Sequence, residues 1–250
     1  MINILKIDKD HPVLDKYKEQ KNYSDKLIIL ESRKVIEYAM IKGFKFQEII
    51  ADSDFFSRNP NISSDSCYLI DKTQLSNALG FKKYNSAFAL IQKPNLRHKN
   101  STRILILDGL TSPENIGSIT RSACAFGFKK IYYHSRGVSP YLKRCVRVST
   151  GHVLTLDIIK SFNIENLIID YKKSGFKFFA CHKTDNSISL QDIDKNYKKI
   201  GLVVGSEGHG IRSSVSEICD QSVAINTHQD VNHLNVSNAS SILMHYFMSI

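Results

Sequence analysis

Short apolar runs alternate with amphipathic stretches along residues 101–250. The apolar runs predict strands at 103–108, 129–134, 153–158, 176–181, 200–205 and 221–225. Between them, apolar residues at three- and four-residue steps predict helices at 115–126, 140–149, 163–173, 210–218 and 234–248. Strands that alternate with helices favour a mostly parallel sheet with helices on both faces. We therefore expect an α/β fold for this part of the chain.

The first hundred residues predict a smaller α/β unit. Residues 1–25 are polar without a clear period, and residues 27–30 fit either a strand or the entry to a helix. The remaining expected elements are helices at 32–42 and 73–79 and strands at 48–51, 67–70 and 87–91. A polar, basic stretch follows them. We expect one domain over 1–96, a linker over 97–102 and a second domain over 103–250.

Composition narrows the class of protein. Hydrophobic residues make up 42% of the chain, which is enough for ordinary cores. We expect no membrane span and no secretory signal, since no apolar stretch reaches ~18 residues and Met1–Asp8 lacks a cleavage site. The five cysteines are scattered without a Cys-x-x-Cys pair, which argues against a disulfide framework and a structural zinc site. This cysteine usage predicts a cytoplasmic protein.

Positive charge is spread over the chain. The net charge is +10, and residues 1–100 and 101–250 each hold 17 Lys and Arg against 12 Asp and Glu. An anionic partner such as RNA fits this excess. A lysine-rich composition with solvated faces fits it equally well.

Three segments place polar side chains where a helix begins: Leu107–Ala123, Leu202–Ile211 and Asn232–Met244. The first two run from an apolar strand through a polar, Gly-containing turn into a helix. Open α/β sheets bind ligands at such carboxyl ends of strands. The third puts Asn235, Ser237 and Asn238 at the start of an apolar helix, either as an elaborate cap or as part of a ligand site.

In chain order, these segments resemble the three motifs of the SpoU-type (TrmH-like) RNA ribose 2′-O-methyltransferases of the SPOUT superfamily. The resemblance is close over the second expected domain and loose over the first. It implies a knotted SPOUT domain, an N-terminal RNA-binding domain of the L30e-like type, S-adenosylmethionine as cofactor, and a homodimer with its active sites at the interface. It also implies methylation of a ribose in structured RNA, with ribosomal RNA favoured over tRNA.

The resemblance places Gly205, Ile225, Leu234 and His233 in the cofactor pocket. Such a pocket needs close backbone approach and apolar walls, which the Gly205 turn and the two aliphatic residues offer. Otherwise, Ile225 and Leu234 are ordinary core and Gly205 is a simple turn. The glycines of 205–210 lack the G-x-G-x-x-G spacing, which disfavours a nicotinamide dehydrogenase.

The resemblance assigns catalysis to Arg121, Asn115, Glu207 and Asn235. A guanidinium keeps its proton in proteins, so we expect Arg121 to stabilise the developing alkoxide and hold a phosphate. Asn115 is either a helix cap or an organiser of the site beside Arg121. Glu207 is expected to orient Arg121 or to bind substrate, and Asn235 to pair with Glu207 or the cofactor.

One position departs from the family pattern, because His233 stands where the family usually has serine. It titrates near neutral pH, which makes the geometry of the site pH-sensitive if it contacts the cofactor. His228, Asp230 and His233 also raise the alternative of a metal-dependent hydrolase, but their spacing supports a metal site poorly, and we expect no metal. A non-catalytic RNA-binding or assembly factor with a methyltransferase fold is the second alternative.

Overall fold

The computed structural model describes residues 3–18, 26–80, 87–194, 196–228 and 234–248. The chain forms two compact units, one of Met1–Pro94 with Tyr141–Leu154 and the other of Asn95–Pro140 with Thr155–Ile250. The expected division placed 141–154 with the second domain, whereas in the structure this segment packs within the first unit.

Twelve strands and nine helices are defined within the described ranges. The strands are β1 (Ile4–Lys6), β2 (Leu27–Glu31), β3 (Phe46–Ala51), β4 (Ser64–Leu69), β5 (Ala87–Gln92), β6 (Arg103–Asp108), β7 (Lys130–His134), β8 (Asp157–Ser161), β9 (Lys177–Cys181), β10 (Ile188–Ser189), β11 (Ile200–Gly205) and β12 (Gln221–Ala224). The helices are α1 (Asp15–Lys18), α2 (Arg33–Ile41), α3 (Ser53–Arg58), α4 (Lys72–Ala78), α5 (Pro113–Ala125), α6 (Lys143–Val148), α7 (Ile164–Lys173), α8 (Ser213–Ser216) and α9 (Val236–Met248).

The first unit contains a five-stranded mixed sheet in the order β1-β4-β3-β5-β2. Its core includes Leu14 and Tyr17, both fully buried although their surroundings show no hydrophobic period. Two contacts explain why α6 joins this unit. Arg147 forms an ion pair of 2.5 Å with Glu31, and the Lys143 ammonium donates to the Tyr17 carbonyl at 2.9 Å. An L30e-like identity for this unit stays a prediction.

The second unit is built on a seven-stranded sheet in the order β10-β12-β9-β11-β6-β7-β8. Each strand pair in it is parallel. Buried apolar residues from β6, β9 and β11 pack against α7 and α8 in its core. The predicted α/β fold with a parallel sheet is therefore confirmed, while the knot stays a prediction.

The expected boundaries fail at two places in residues 101–250. The apolar run at 153–158 was predicted as one strand, but His152–Thr155 is a 3-10 turn and β8 begins at Asp157. Such short runs fit a strand or a buried turn equally well. The helix expected at 210–218 is reduced to α8, because Ser206 and Gly210 pair across a tight turn before it.

No described helix combines the length and the apolar character that a membrane crossing requires. All five cysteines, which lie within the described ranges, are free thiols.

Candidate active site

The first two polar segments meet at the carboxyl edge of the parallel sheet. Gly205 at the end of β11 pairs in register with Asp108 at the end of β6. The loops that follow these two strands therefore start side by side. The third segment reaches the same region because α9 packs against α5, β9 and β11.

Asn235 joins the three segments through its side chain. Its amide nitrogen donates to the Asn115 Oδ1 at 3.0 Å and to the Glu207 Oε1 at 2.6 Å. Its amide oxygen accepts from the Ser237 backbone N–H at 2.9 Å and from the Ser237 hydroxyl at 2.6 Å. These four bonds use the whole hydrogen-bonding capacity of an asparagine side chain. Asn235 thus caps α9 and also holds Asn115 and Glu207 in place.

The two residues that Asn235 contacts come from differently built elements. Helix α5 is capped by Ser112, whose hydroxyl accepts from the Asn115 N–H at 3.3 Å, so Asn115 is not the cap and its side chain is left for Asn235. Glu207 is exposed in the turn closed by the Ser206–Gly210 backbone bonds of 3.1 and 2.8 Å. The expected pairing of Asn235 with Glu207 is thus present in the geometry.

Arg121 lies apart from this cluster on α5. Six helical residues separate it from Asn115, which corresponds to about 9 Å along the axis and about 120° around it. Its side chain is exposed and forms no hydrogen bond or ion pair with any described residue. Ser122 follows Asn115 by seven residues, or two helical turns, and so lies on the same face of α5. Its hydroxyl contacts the hydroxyl of the α9 residue Ser241 at 2.8 Å. The sequence expectation that Asn115 and Arg121 lie side by side does not fit this geometry within one chain.

A cleft of about 530 Å³ opens beside the cluster. It is lined by Cys181, His182, Lys183, Gly205, Ser206, Glu207, Gly210, Ile211, Leu234, Asn235, Val236 and Ala239. A narrower cavity of about 110 Å³ shares several of these residues and adds Ile225, Thr227 and Leu243. Of the four expected cofactor residues, Gly205 lines the cleft, Ile225 lines the narrower cavity and Leu234 lines both. His233 lies outside the described residues.

Gly205 shapes the floor of this cleft through its missing side chain. A Cβ atom at this position would lie 2.1 Å from both the carbonyl carbon and the oxygen of Gly210, and 2.3 Å from the Ile211 nitrogen. Real Cβ atoms do not approach backbone so closely. The close approach of the two backbone segments therefore requires glycine at position 205.

Sequence analysis missed the lining residues Cys181, His182 and Lys183. The parallel topology brings them in, since β9 lies between β11 and β12 and its carboxyl end opens on the same edge. Burial lowers the pKa of His182, whose Nε2 contacts the Ser222 hydroxyl at 3.1 Å. The lowered pKa favours the neutral form of the His182 imidazole. The strand predicted at 176–181 could have indicated these residues, because ligands bind at the carboxyl ends of parallel strands.

A second group that sequence analysis missed anchors the Glu207 loop from below. Arg212 donates through its backbone N–H and its Nε to the two oxygens of Asp108, at 3.0 and 2.9 Å. Its guanidinium also donates to Glu165 at 2.9 Å. Nearby, burial and then the Arg212 charge lower the pKa of His134. Through these contacts, Arg212 fixes the end of the loop to the C-terminal end of β6 and the N-terminal end of α7.

Within the described part of the chain, no three His, Cys, Asp or Glu side chains converge as metal ligands would. Of the three residues behind the metal alternative, Asp230 and His233 lie outside the described ranges. His228 is described and exposed.

Residues 102–245 match the model of the SpoU rRNA Methylase family. A Staphylococcus epidermidis protein, named for the TrmH family of tRNA/rRNA methyltransferases, is 28% identical over 87% of this chain and 94% of its own length. A Staphylococcus saprophyticus protein of the same name is 32% identical over 65% of this chain and 64% of its own.

Solved structures with low sequence identity share the fold. An AdoMet-bound rRNA methyltransferase from Sinorhizobium meliloti superposes with a TM-score of 0.82, at 17% identity over 98% of this chain and 97% of that one. The SpoU methyltransferase AviRb from Streptomyces viridochromogenes, in complex with AdoMet, gives 0.78 at 17% identity over 96% and 98%. An RNA 2′-O ribose methyltransferase gives 0.79 at 18% identity over 99% and 98%. The family match covers more than half of the sequence, and this chain belongs to the SpoU rRNA methylase family.

Proposed function

We propose that this protein methylates a ribose 2′-hydroxyl of structured RNA with S-adenosylmethionine as donor. The observation that carries the proposal is the Asn235 cluster, which fixes Asn115 and Glu207 at the rim of a cleft. Family membership supplies RNA methylation as the activity. The neighbour named as an RNA 2′-O ribose methyltransferase supports the ribose as the site of methylation.

The cleft fits S-adenosylmethionine in size and chemistry. Its volume lies in the ~300–1,000 Å³ range of small-molecule sites. Apolar walls come from Leu234 and Ile225, and Gly205 lets backbone groups approach a ligand closely. The neutral form of His182 adds no positive charge beside a cationic sulfonium. When bound, the cofactor supplies an electrophilic methyl group that the ribose 2′-oxygen receives as the hydroxyl loses its proton.

Arg121 stabilises the negative charge that develops on the 2′-oxygen. Its guanidinium remains protonated, so it acts as a fixed cation and hydrogen-bond donor while a substrate phosphate or water takes the proton. Since Arg121 lacks a described protein partner, its donors are available to RNA. Glu207 and Asn115, held by Asn235, orient the substrate ribose.

Arg121 acts in a dimer, at the cleft of the second copy. Its position about 120° around α5 from Asn115 turns it away from the cleft of its own chain. On the neighbouring helix α9, Ile242 is 42% exposed, and a second copy packed against this face of α9 would bury it. A homodimer of this kind completes the site.

The RNA is a folded one, and ribosomal RNA fits better than tRNA. A separate N-terminal unit gives the enzyme a second RNA-binding surface, and each half of the chain carries a net +5. Folded RNA is gripped by its shape and phosphates, which suits two basic units on one chain.

The alternative is an RNA-binding or assembly factor that kept the fold. Intact Asn115 and Glu207, each hydrogen-bonded to Asn235, argue against it, since binding alone does not need them. Titration calorimetry with S-adenosylmethionine and transfer of a labelled methyl group to total RNA separate the two functions. We expect both binding and transfer. Binding of RNA without cofactor binding or methyl transfer would establish the alternative.

Exchange of Asn235 for aspartate should separate the capping role from the catalytic one. Aspartate caps helices as well as asparagine does, so α9 should stay folded. Its carboxylate, however, would face Glu207, which contacts the present amide at 2.6 Å, and would push it away. Because a 1 Å displacement can cost ~10²-fold in rate, we expect kcat/KM to fall by about that factor with an unchanged Tm.

The matched control is Asn235→Ala, which also removes the cap and should lower stability by about 1 kcal/mol. Thermal melts and steady-state methyl transfer measure both effects. An Asn235→Asp enzyme with full activity would show that the contact with Glu207 is not needed.

A further inference from the structure

A basic cavity lies at the edge of the parallel sheet opposite the cleft. It has a volume of about 500 Å³ and is lined by residues 97–102 together with Gly127 and Lys129. The 97–102 segment leads into β6, and Gly127 and Lys129 lead into β7. Since β6 and β7 pair in parallel with Ile104 opposite Lys130, the two segments meet where both strands begin. The cavity is thus about 20 Å from the carboxyl edge, the length of a six-residue strand.

Among the described residues, three cations of this cavity have no counter-charge. Arg97, Lys99 and Lys129 are exposed and form no ion pair with any residue in the described ranges. One carboxylate contacts the lining: Asp157 accepts from the His98 backbone N–H at 3.2 Å and lies 3.8 Å from the Lys130 ammonium. Its charge is therefore already matched by Lys130.

Among the described residues, the positive charge of the cavity lining exceeds the negative contributions near it. Helix α5 ends at Ala125, and its carbonyl end adds about half a negative charge near Gly127. Three guanidinium and ammonium groups outweigh this contribution. The exposed side chains of Asn100 and Thr102 add neutral hydrogen-bond donors to the wall. The concave shape, the uncompensated positive charge and the polar donors together favour a binding site for a polyanion over a surface that contacts only solvent.

The lining also distinguishes between classes of anion. No described Phe, Tyr or Trp contributes to it, so the described lining offers none of the stacking surfaces on which a nucleotide base binds. Arg, Lys, Ser, Thr and Asn side chains are the groups that commonly bind phosphates, and they do so without regard to base sequence. The chemistry points to the backbone of a nucleic acid and not to a free nucleotide.

We propose that Arg97, Lys99 and Lys129 bind backbone phosphates of the RNA substrate, remote from the point of methyl transfer. This inference rests on the proposed function for the identity of the RNA. Contacts so far from the reacting ribose act equally on the ground state and the transition state, so they lower KM without changing kcat. They also release counterions, which makes RNA affinity depend on salt.

The test is a full-length triple variant, Arg97→Gln, Lys99→Gln and Lys129→Gln. A matched control, Lys172→Gln, Lys173→Gln and Lys177→Gln, removes the same charge from cations of the second unit that already pair with a carboxylate. Fluorescence anisotropy of labelled RNA at several salt concentrations gives the affinity and its salt slope. Steady-state methyl transfer gives KM and kcat, and thermal melts check the folding of both variants.

The cavity variant should bind RNA at least ~10-fold more weakly at low salt, and its salt slope should fall by about 2, since each phosphate contact contributes about 0.7–0.9. KM should rise with kcat unchanged, and the control should match wild type. Equal losses in both variants, no loss in either, or a fall in kcat alone would overturn the proposal. Inorganic phosphate at constant ionic strength should compete poorly, and strong competition would instead assign the cavity to free phosphate.

These readouts also separate this proposal from the proposed function. If the wild type binds RNA but methylates none, the proposed function fails, and the anisotropy titration still decides the role of the cavity. If methyl transfer is normal and the salt slopes of both variants equal that of wild type, only the cavity proposal fails.

Discussion

Replacement of Arg121 with alanine should lower methyl transfer by ~10²–10⁴-fold, the usual effect of removing a positioned catalytic or electrostatic group. S-adenosylmethionine affinity should change little, because Arg121 does not line the cleft of its own chain. Stability should stay within about 0.5 kcal/mol, since the side chain is exposed and has no partner among the described residues. Turnover with the true RNA substrate, calorimetry with the cofactor and thermal melts provide the three measurements.

Two further variants sharpen this experiment. Arg121→Lys keeps the positive charge but loses the planar guanidinium and its fixed set of hydrogen-bond donors. Partial activity would therefore show that the charge itself contributes. Arg58→Ala removes an exposed arginine elsewhere and should leave turnover unchanged. If Arg121→Ala retained more than half of the wild-type turnover, the catalytic assignment would be wrong.

Replacement of Gly205 with alanine should weaken cofactor binding in a folded protein. The new methyl group would meet Gly210 at 2.1 Å, and backbone cannot yield as a flexible side chain can. The Ser206–Gly210 turn must then open, which displaces Glu207 and the floor of the cleft. Overpacking of this kind costs about 1–3 kcal/mol, so we expect S-adenosylmethionine affinity to fall by ~5- to 150-fold. Calorimetry measures the loss.

Two glycines of the same region act as controls for this variant. A Cβ at Gly208 would meet no atom within 4 Å, so Gly208→Ala should bind the cofactor normally. Gly201 lies earlier in β11, where a Cβ would meet the Phe178 ring at 2.1 Å, so Gly201→Ala should lower stability without a selective loss of cofactor affinity. Normal binding by Gly205→Ala would contradict the location of the pocket.

The parallel sheet could be predicted because each of its long strands is an apolar run between polar turns. The strand predicted at 200–205 coincides with β11, and that at 103–108 with β6. Buried parallel strands leave such continuous apolar runs in a sequence. The order of the motifs then indicated which strand ends carry the site.

Other features depend on tertiary contacts that leave no periodic signal. Leu14 and Tyr17 are isolated apolar residues in a polar stretch, yet both are fully buried. Segment 141–154 packs within the first unit through single ion pairs and hydrogen bonds such as Arg147 with Glu31. Cys181, His182 and Lys183 reach the cleft only because β9 lies beside β11, which strand order decides and local pattern does not.

We propose that the protein places the methyl group on the ribose and not on a base. The direct measurement incubates the purified protein with isotopically labelled S-adenosylmethionine and RNA from cells that lack the protein, followed by digestion to nucleosides and mass spectrometry. We expect the label on the sugar fragment, and the modified linkage should resist alkali because a methylated 2′-oxygen no longer attacks the neighbouring phosphate. Label on a base fragment, with the linkage still cleaved by alkali, would contradict the account.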